Sequence, residues 1–256
     1  MYHLYVALFF VALFAGMVGA LELGRRLGVR QRLSQPDGGD PAVGAMDGMV
    51  FAVFGLLLAF TFSGAAGRFD HRRELAVNEA NAIETAYLRL DLLPADAQPE
   101  LRDLLRRYVE SRLVSYQRLP DLAAFDAECN RSAALLGRIW KAAVPAAKRA
   151  DPSPLGFLVG PLNDMETARA TRVALMWFHV PLPIVGMLLA LATAASLLAG
   201  RALSVAPRRS WFNMLAFAVV VAVSLYVIFD YEFPRFGFIR EDAGDQQLVR
   251  VLDTMR

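Results

Sequence analysis

The chain has 256 residues, 56% of them apolar, with a net charge of +2 and one cysteine. A soluble domain is typically ~45–50% apolar, so the excess points to a membrane, and the near-neutral balance argues against a general nucleic-acid binder. The single Cys129 excludes an internal disulfide or a cysteine-based zinc cluster and reads as a small buried residue.

The apolar excess falls into four blocks, each long enough for the ~20 residues that cross a ~30 Å hydrocarbon core. The first, 2–21, has no Asp, Glu, Lys or Arg before Glu22. Val18, Gly19 and Ala20 would pass as a leader cleavage site, but no Lys or Arg precedes the apolar run, so a retained anchor is expected. Arg25, Arg26, Arg30 and Arg32 follow, and 34–41 (SQPDGGDP) reads as a flexible loop. The second block, 48–67, is entered after Asp47 and left before Arg68. No helix breaker marks its exit. Apolar residues continue at Ala76, Ala80, Ile83, Tyr87 and Leu90, in steps of three and four that define one helix face. One helix is therefore expected over 47–92, stopping before Pro94. At 1.5 Å per residue it would be roughly 70 Å long and stand out of the bilayer as a stalk.

The region 67–172 holds 16 Lys/Arg and 15 Asp/Glu, an interleaving typical of solvated helix faces. A helix is expected to begin near Pro99, with Leu101, Leu104, Leu105 and Tyr108 inward, and to end before Pro120. Another covers 121–144, with Phe125, Leu135, Leu136, Ile139 and Trp140 inward. A break follows at 150–154 (ADPSP), and a further helix from Leu155 flows through 163–172 into the third block. That block, 173–200, is interrupted only by His179, Pro181 and Pro183, which should kink it. The fourth block, 211–229, lies between Arg209 and Asp230.

With strand signals missing, the expected fold is all-α. Transmembrane hairpins over 1–67 and 173–229 flank an extramembrane helical domain over 68–172, and 230–256 forms a C-terminal tail. Arg201, Arg208 and Arg209 join the arginines after the first span in placing both short loops in the cytoplasm and the middle domain outside. Arg68, Arg72, Arg73, Arg169 and Arg172 pull the other way and bring the count near parity.

Catalytic signatures are missing from the sequence: it has no Gly-x-Ser-x-Gly, phosphate loop or His-Glu-x-x-His. His3 and His71 read as interfacial. His179 falls inside the third span, where an ionisable group is costly and often functional; it reads either as an intramembrane polar group or as an interfacial histidine shortly after Arg172. Glu22, Asp47, Asp230 and Glu232 at span ends read as solvated boundary carboxylates. Glu241, Asp242 and Asp245 match no calcium loop, so neither a metal nor a cofactor is expected. An enzyme would have to use Glu79 and Glu84 with a span-end carboxylate, and none is expected. Span two carries Gly48, Ala52, Gly55 and Ala59 at steps of three and four, the small-xxx-small pattern of close helix packing. Such packing could serve one subunit's bundle, or copies of the helix arranged around an axis and gated by apolar rings.

GLLLAF at 55–60, Arg68 and Phe69, and RREL at 72–75 resemble the second span and exit of bestrophins. The run FSGAAGRFDHRRELAVNEANAIETAYLRLDLLP at 62–94 and the tail DYEFPRFGFI at 230–239 are more closely similar to a bacterial bestrophin-like membrane family of unknown function. The order of spans and helical domain agrees along the whole chain. The resemblance implies a multi-pass protein of the bacterial inner membrane, in contact with the lipid bilayer. It also implies a homo-oligomer, pentameric as in bestrophins, passing chloride or other small anions. The family's pore neck is an apolar stripe spaced by four on the second span, and it maps to Ala52, Leu56 and Phe60, small, medium and large in turn. Arg68, Arg72 and Arg73 would form a basic vestibule. The calcium-binding acids of animal bestrophins have no counterpart, so calcium gating is not carried over. The family keeps its middle domain in the cytoplasm, opposite to the charge rule, which rests on this chain's own residues and is preferred here. The expected function is an oligomeric ion channel with span two lining the pore. The alternative is a non-conducting scaffold or sensor whose helical domain binds a protein partner.

Overall fold

A computed structural model describes residues 2–34, 41–119, 121–150, 153–205, 209–233, 238–239 and 242–255. Residues 35–40 of the loop expected over 34–41, Pro120, the middle of the 150–154 break, Arg208 and Glu241 lie outside them, as do the side chains of His3 and Asp242 and residues 234–237 of the tail motif. The described residues form eight α-helices: α1 Tyr2–Ser34, α2 Pro41–Arg89, α3 Gln98–Arg118, α4 Leu122–Arg149, α5 Leu155–Leu175, α6 Leu182–Ala202, α7 Trp211–Glu232 and α8 Asp242–Thr254. Among these residues there is no strand. Four of the helices are long and apolar enough to cross a membrane. The chain divides into two compact units, one of residues 1–69 and 179–239, the other of 70–178 and 240–256.

In the first unit α1, the first part of α2, α6 and α7 share an apolar core that includes Leu13, Met17, Leu21, Phe54, Ala65, Leu188, Ala192, Ala195, Met214, Ala218 and Leu225. Helices α1 and α6 approach most closely. A Cβ added to Gly24 would lie 1.9 Å from the Leu197 carbonyl oxygen, and one added to Gly200 would lie 1.9 Å from that of Leu21. Ala20, Gly24 and Gly28 on α1 and Ala192, Ser196 and Gly200 on α6 each recur every four residues. Small residues in register let two backbones meet where lipid supplies no hydrophobic drive between helices. The stripe singled out in span two is not used this way. A Cβ added to Gly48 or Gly55 meets no described residue within 4 Å, and Ala52 and Ala59 are exposed. Helix α2 is held instead by long side chains, with Phe51 edge-on to Phe217 and Phe62 and Phe69 edge-on to Tyr231.

The third block differs from expectation. A kinked span over 173–200 was predicted, but α5 ends at Leu175 and α6 begins at Leu182. Pro181 caps α6 and Pro183 falls in its first turn. Backbone N–H groups there lack helical partners anyway, so proline costs nothing and starts the helix rather than bending it. His179 thus lies in the connection, not within a span.

In the second unit the predicted faces pack as read. Ala80 and Ile83 of α2, Leu90 of the 3₁₀ turn that follows it, Leu101, Leu104, Leu105 and Tyr108 of α3, and Phe125, Leu135, Leu136 and Ile139 of α4 are all buried in one core. Trp140, expected inward, is exposed, and the small Ala143, Ala146 and Ala147 continue that face instead. Helix α4 also runs through Pro145 to Arg149. The C-terminal segment is not a loose tail: α8 buries Leu248 and Val251 in the same core, and the Tyr87 hydroxyl donates to the Met255 carbonyl at 3.5 Å.

This core contains a buried charge cluster. The Glu79 carboxylate is fully buried and accepts from Arg112 Nη2 at 3.2 Å and Arg172 Nη1 at 2.8 Å. Arg112 also donates to Tyr116 Oη, and the Arg172 guanidinium lies 3.8 Å from the Tyr116 ring centre. Burial pushes the Tyr116 phenol up to about 12 and raises the Cys129 thiol, an effect that Arg112 partly offsets.

Two outcomes are expected. Gly24→Ala or Gly200→Ala should cost about 3 kcal/mol or more, because the helices must part, and this should appear as lost monodisperse protein in detergent; Gly48→Ala and Gly55→Ala should leave the fold of the chain intact. Glu79→Ala leaves two buried guanidiniums facing each other and should cost about 3–5 kcal/mol in thermal melts, against a change within about 0.5 kcal/mol for the more exposed Glu84→Ala.

Candidate functional site

An α-helix packed on one side sorts its residues by face. In the membrane part of α2, Phe54, Thr61 and Ala65 are buried. The opposite face is open: Met49, Ala52, Val53, Leu56, Ala59 and Phe60 are exposed, with Leu56 57% and Phe60 68% accessible. Ala52, Leu56 and Phe60 are spaced by four and so share one stripe on this open face. Nothing polar interrupts it, whereas Thr61 on the packed side turns its hydroxyl back onto the Leu57 carbonyl at 2.7 Å.

The exit of this helix is anchored. Arg68 Nε donates to Glu232 Oε1 at 2.8 Å, and Arg68 Nη2 donates to the same oxygen. The second Glu232 oxygen accepts from the Val180 backbone N–H at 3.2 Å and lies 3.8 Å from His179 Nδ1. The His179 ring lies against Phe233, with centres 4.5 Å apart. Glu232 is 2% accessible, a burial a carboxylate tolerates only with partners of this kind. Asp230, on the same helix end, is also buried and accepts from the Phe238 and Ile239 N–H groups at 3.0 and 2.9 Å. Neither is the solvated boundary carboxylate expected from sequence. The spacing of these partners along the chain explains the miss: Arg68 and Glu232 are 164 residues apart.

The other predicted basic residues have separate surroundings. Arg72 is buried at 5% accessibility. Arg73 is half exposed, 4.0 Å from Asp70 one helical turn before it. His71 is exposed, with Glu74 3.5 Å away. Of the acids weighed for catalysis, Glu79 has both oxygens occupied by guanidiniums, Oε1 by Arg112 and Oε2 by Arg112 and Arg172. No group of three His, Cys, Asp or Glu side chains that could hold a metal ion occurs among the described residues.

At the other ends of the spans Asp47 accepts from Arg201, and Glu22 accepts from Arg25, Arg26 and Arg209. These carboxylates too are partnered rather than simply solvated.

Arg68→Ala is expected to strand the buried Glu232 carboxylate and lower stability by about 1–3 kcal/mol, read as a lower melting temperature in detergent. Arg73→Ala, at an exposed position, should change it by less than about 0.5 kcal/mol.

Three solved structures of a bacterial bestrophin homolog from Klebsiella pneumoniae share this architecture. One point variant matches with a TM-score of 0.66 at 15% identity, covering 93% of this chain and 97% of that one. Another has a TM-score of 0.66 at 16% identity with 98% of both chains covered. A third structure matches at 0.62 and 18% identity, covering 93% and 97%. No curated protein matches the chain. A family model described as a Bestrophin-like domain matches residues 10–240, and with four apolar spans and the fold in agreement, this membrane protein belongs to the Bestrophin-like family.

Proposed function

We infer that the chain is one subunit of an oligomeric membrane channel that passes small anions such as chloride, with α2 lining the pore. The observation that carries this reading is the open apolar stripe of Ala52, Leu56 and Phe60 on a helix whose opposite face is committed to its own chain. The small residues Gly48 and Gly55 have room for a close neighbour that no described residue of the chain supplies, and copies of α2 around an axis would use that room. Family membership supports both the oligomer, a pentamer in this reading, and the channel. Apolar rings of this kind hold a pore shut by dewetting until it widens.

Within the same reading the protein lies in the bacterial inner membrane, with hairpins over 1–67 and 173–229 and an extramembrane domain over 68–172. The role is conduction and not catalysis. Arg68, Arg72 and Arg73 supply the basic vestibule, where positive charge concentrates anions. Exposed Arg73 attracts them most directly, while Arg68 fixes the helix exit through Glu232.

Reconstitution into planar bilayers tests this. The intact protein should carry a chloride current, and Phe60→Ala should raise the unitary current or shorten closed periods by removing the bulkiest ring. An absence of ionic current, or a current indifferent to Phe60→Ala and Leu56→Ala, would favour a non-conducting scaffold.

A further inference from the structure

A second polar cluster sits where the apolar run of α1 gives way to charge and that of α7 begins. Glu22 is the first charged residue of α1. Its carboxylate accepts from Arg25 Nε and Nη2, both at 3.0 Å, from Arg26 Nε at 2.8 Å and from Arg209 Nη2 at 2.9 Å. Three guanidiniums thus surround one carboxylate, leaving an excess of positive charge. The guanidiniums also retain unused donors. Each carries five N–H groups, and the bonds to Glu22 engage one from Arg26 and one from Arg209. The Arg26 side chain is 68% accessible and that of Arg209 36%, so these donors face outward.

The surroundings of the cluster are apolar and open. The Arg209 guanidinium stacks 3.7 Å from the Trp211 ring centre. Trp211 and Phe212, in the first turn of α7, are exposed, as are Leu23 and Leu27 beside the arginines on α1. Tryptophan at the start of a span marks the headgroup level of a bilayer. An excess of guanidinium donors at that level, next to exposed aliphatic and aromatic side chains, complements a phosphate ester carrying an acyl chain.

We propose that Arg26 and Arg209, held in place by Glu22 and Trp211, bind the phosphate of an anionic phospholipid whose chains lie along Leu23 and Phe212. Glu22 acts as a positioning residue: it keeps the guanidiniums converged, and Arg25, with two bonds to it, is the most fully committed of the three. The site does not depend on conduction, so it stands or falls separately from the channel reading.

Native mass spectrometry of the full-length protein in detergent, titrated with phosphatidylglycerol or phosphatidylcholine, tests the assignment. Wild type should retain phosphatidylglycerol preferentially. Arg26→Gln and Arg209→Gln should each lower its apparent affinity about fivefold, the contribution of one interfacial charge. Arg30→Gln with Arg32→Gln, which removes twice the charge further along α1, should leave binding within about twofold of wild type. The exposed Arg26→Gln keeps the test valid if Arg209→Gln does not fold. Equal retention of the two lipids, undiminished binding in Arg26→Gln, or an equal loss in the Arg30/Arg32 control would overturn the proposal. So would displacement of the lipid by inorganic phosphate that itself binds wild type but not Arg26→Gln, because the site would then serve a free anion.

Discussion

The second unit depends on one buried carboxylate. Glu79 on α2, Arg112 on α3 and Arg172 on α5 come from positions 33 and 93 residues apart, and none is more than 4% accessible. The leucines and alanines around them supply most of the burial, but apolar contact is non-directional and would tolerate a helix turned or slid by one step. A guanidinium fork reaching a carboxylate tolerates neither. Slipping α3 by one residue would carry Arg112 about 100° around the helix and leave a buried charge unmatched, at a cost of several kcal/mol. The Tyr116 ring completes the arrangement, with both arginines against its face and its hydroxyl accepting from Arg112. The cluster therefore sets the register of three helices that hydrophobicity alone leaves loosely defined.

The membrane unit solves the same problem differently. Apolar side chains gain little from one another when the alternative neighbour is a lipid tail, so register must come from shape and from the few polar groups at the span ends. Shape acts where α1 and α6 bring their backbones together at Gly24 and Gly200. Polar register acts at both ends of the spans, through the pairs Asp47–Arg201 and Glu22–Arg209 at one and Arg68–Glu232 at the other. Helix α2 takes part in the second kind of contact but not the first.

How much of this the sequence disclosed follows from how local each cause is. The apolar faces after position 70 and along α3 were legible because helical periodicity repeats within a few residues. The number of spans was legible because each is a continuous apolar run. Glu79, Arg112 and Arg172 were hidden in a region of nearly balanced charge, where a buried arginine and a solvated one look alike. Asp230 and Glu232 were misread for the same reason. The stripe on span two was conspicuous and the one on α1 and α6 passed unnoticed; small residues tell that close approach is possible, but not which helix makes it. Trp140 shows the limit of periodicity. It sits at the edge of the predicted face, and the alanines beyond it, Ala143, Ala146 and Ala147, are buried in its place.

The anchoring of α2 bears on how a pore built from it could open. Glu232 joins three segments: it takes the guanidinium of Arg68 from α2, belongs to α7, and accepts the Val180 N–H from the connection into α6. Tilting α2 alone would separate Arg68 from a carboxylate that is almost wholly out of water, and water cannot readily replace the lost bonds at such a site. Moving α2 and α7 together leaves the pair intact, along with the Phe51–Phe217 contact between them, and loads instead the Val180 bond to Glu232 and the edge contacts of α7 with α1, Phe9–Phe229 and Phe10–Tyr226, each ring pair worth about 0.5–1.5 kcal/mol. For a pore of the proposed kind, the widening that keeps this ion pair is therefore a joint displacement of α2 with α7. It would be resisted most firmly where those helices meet the glycine-packed pair α1 and α6, whose backbones have no room to give.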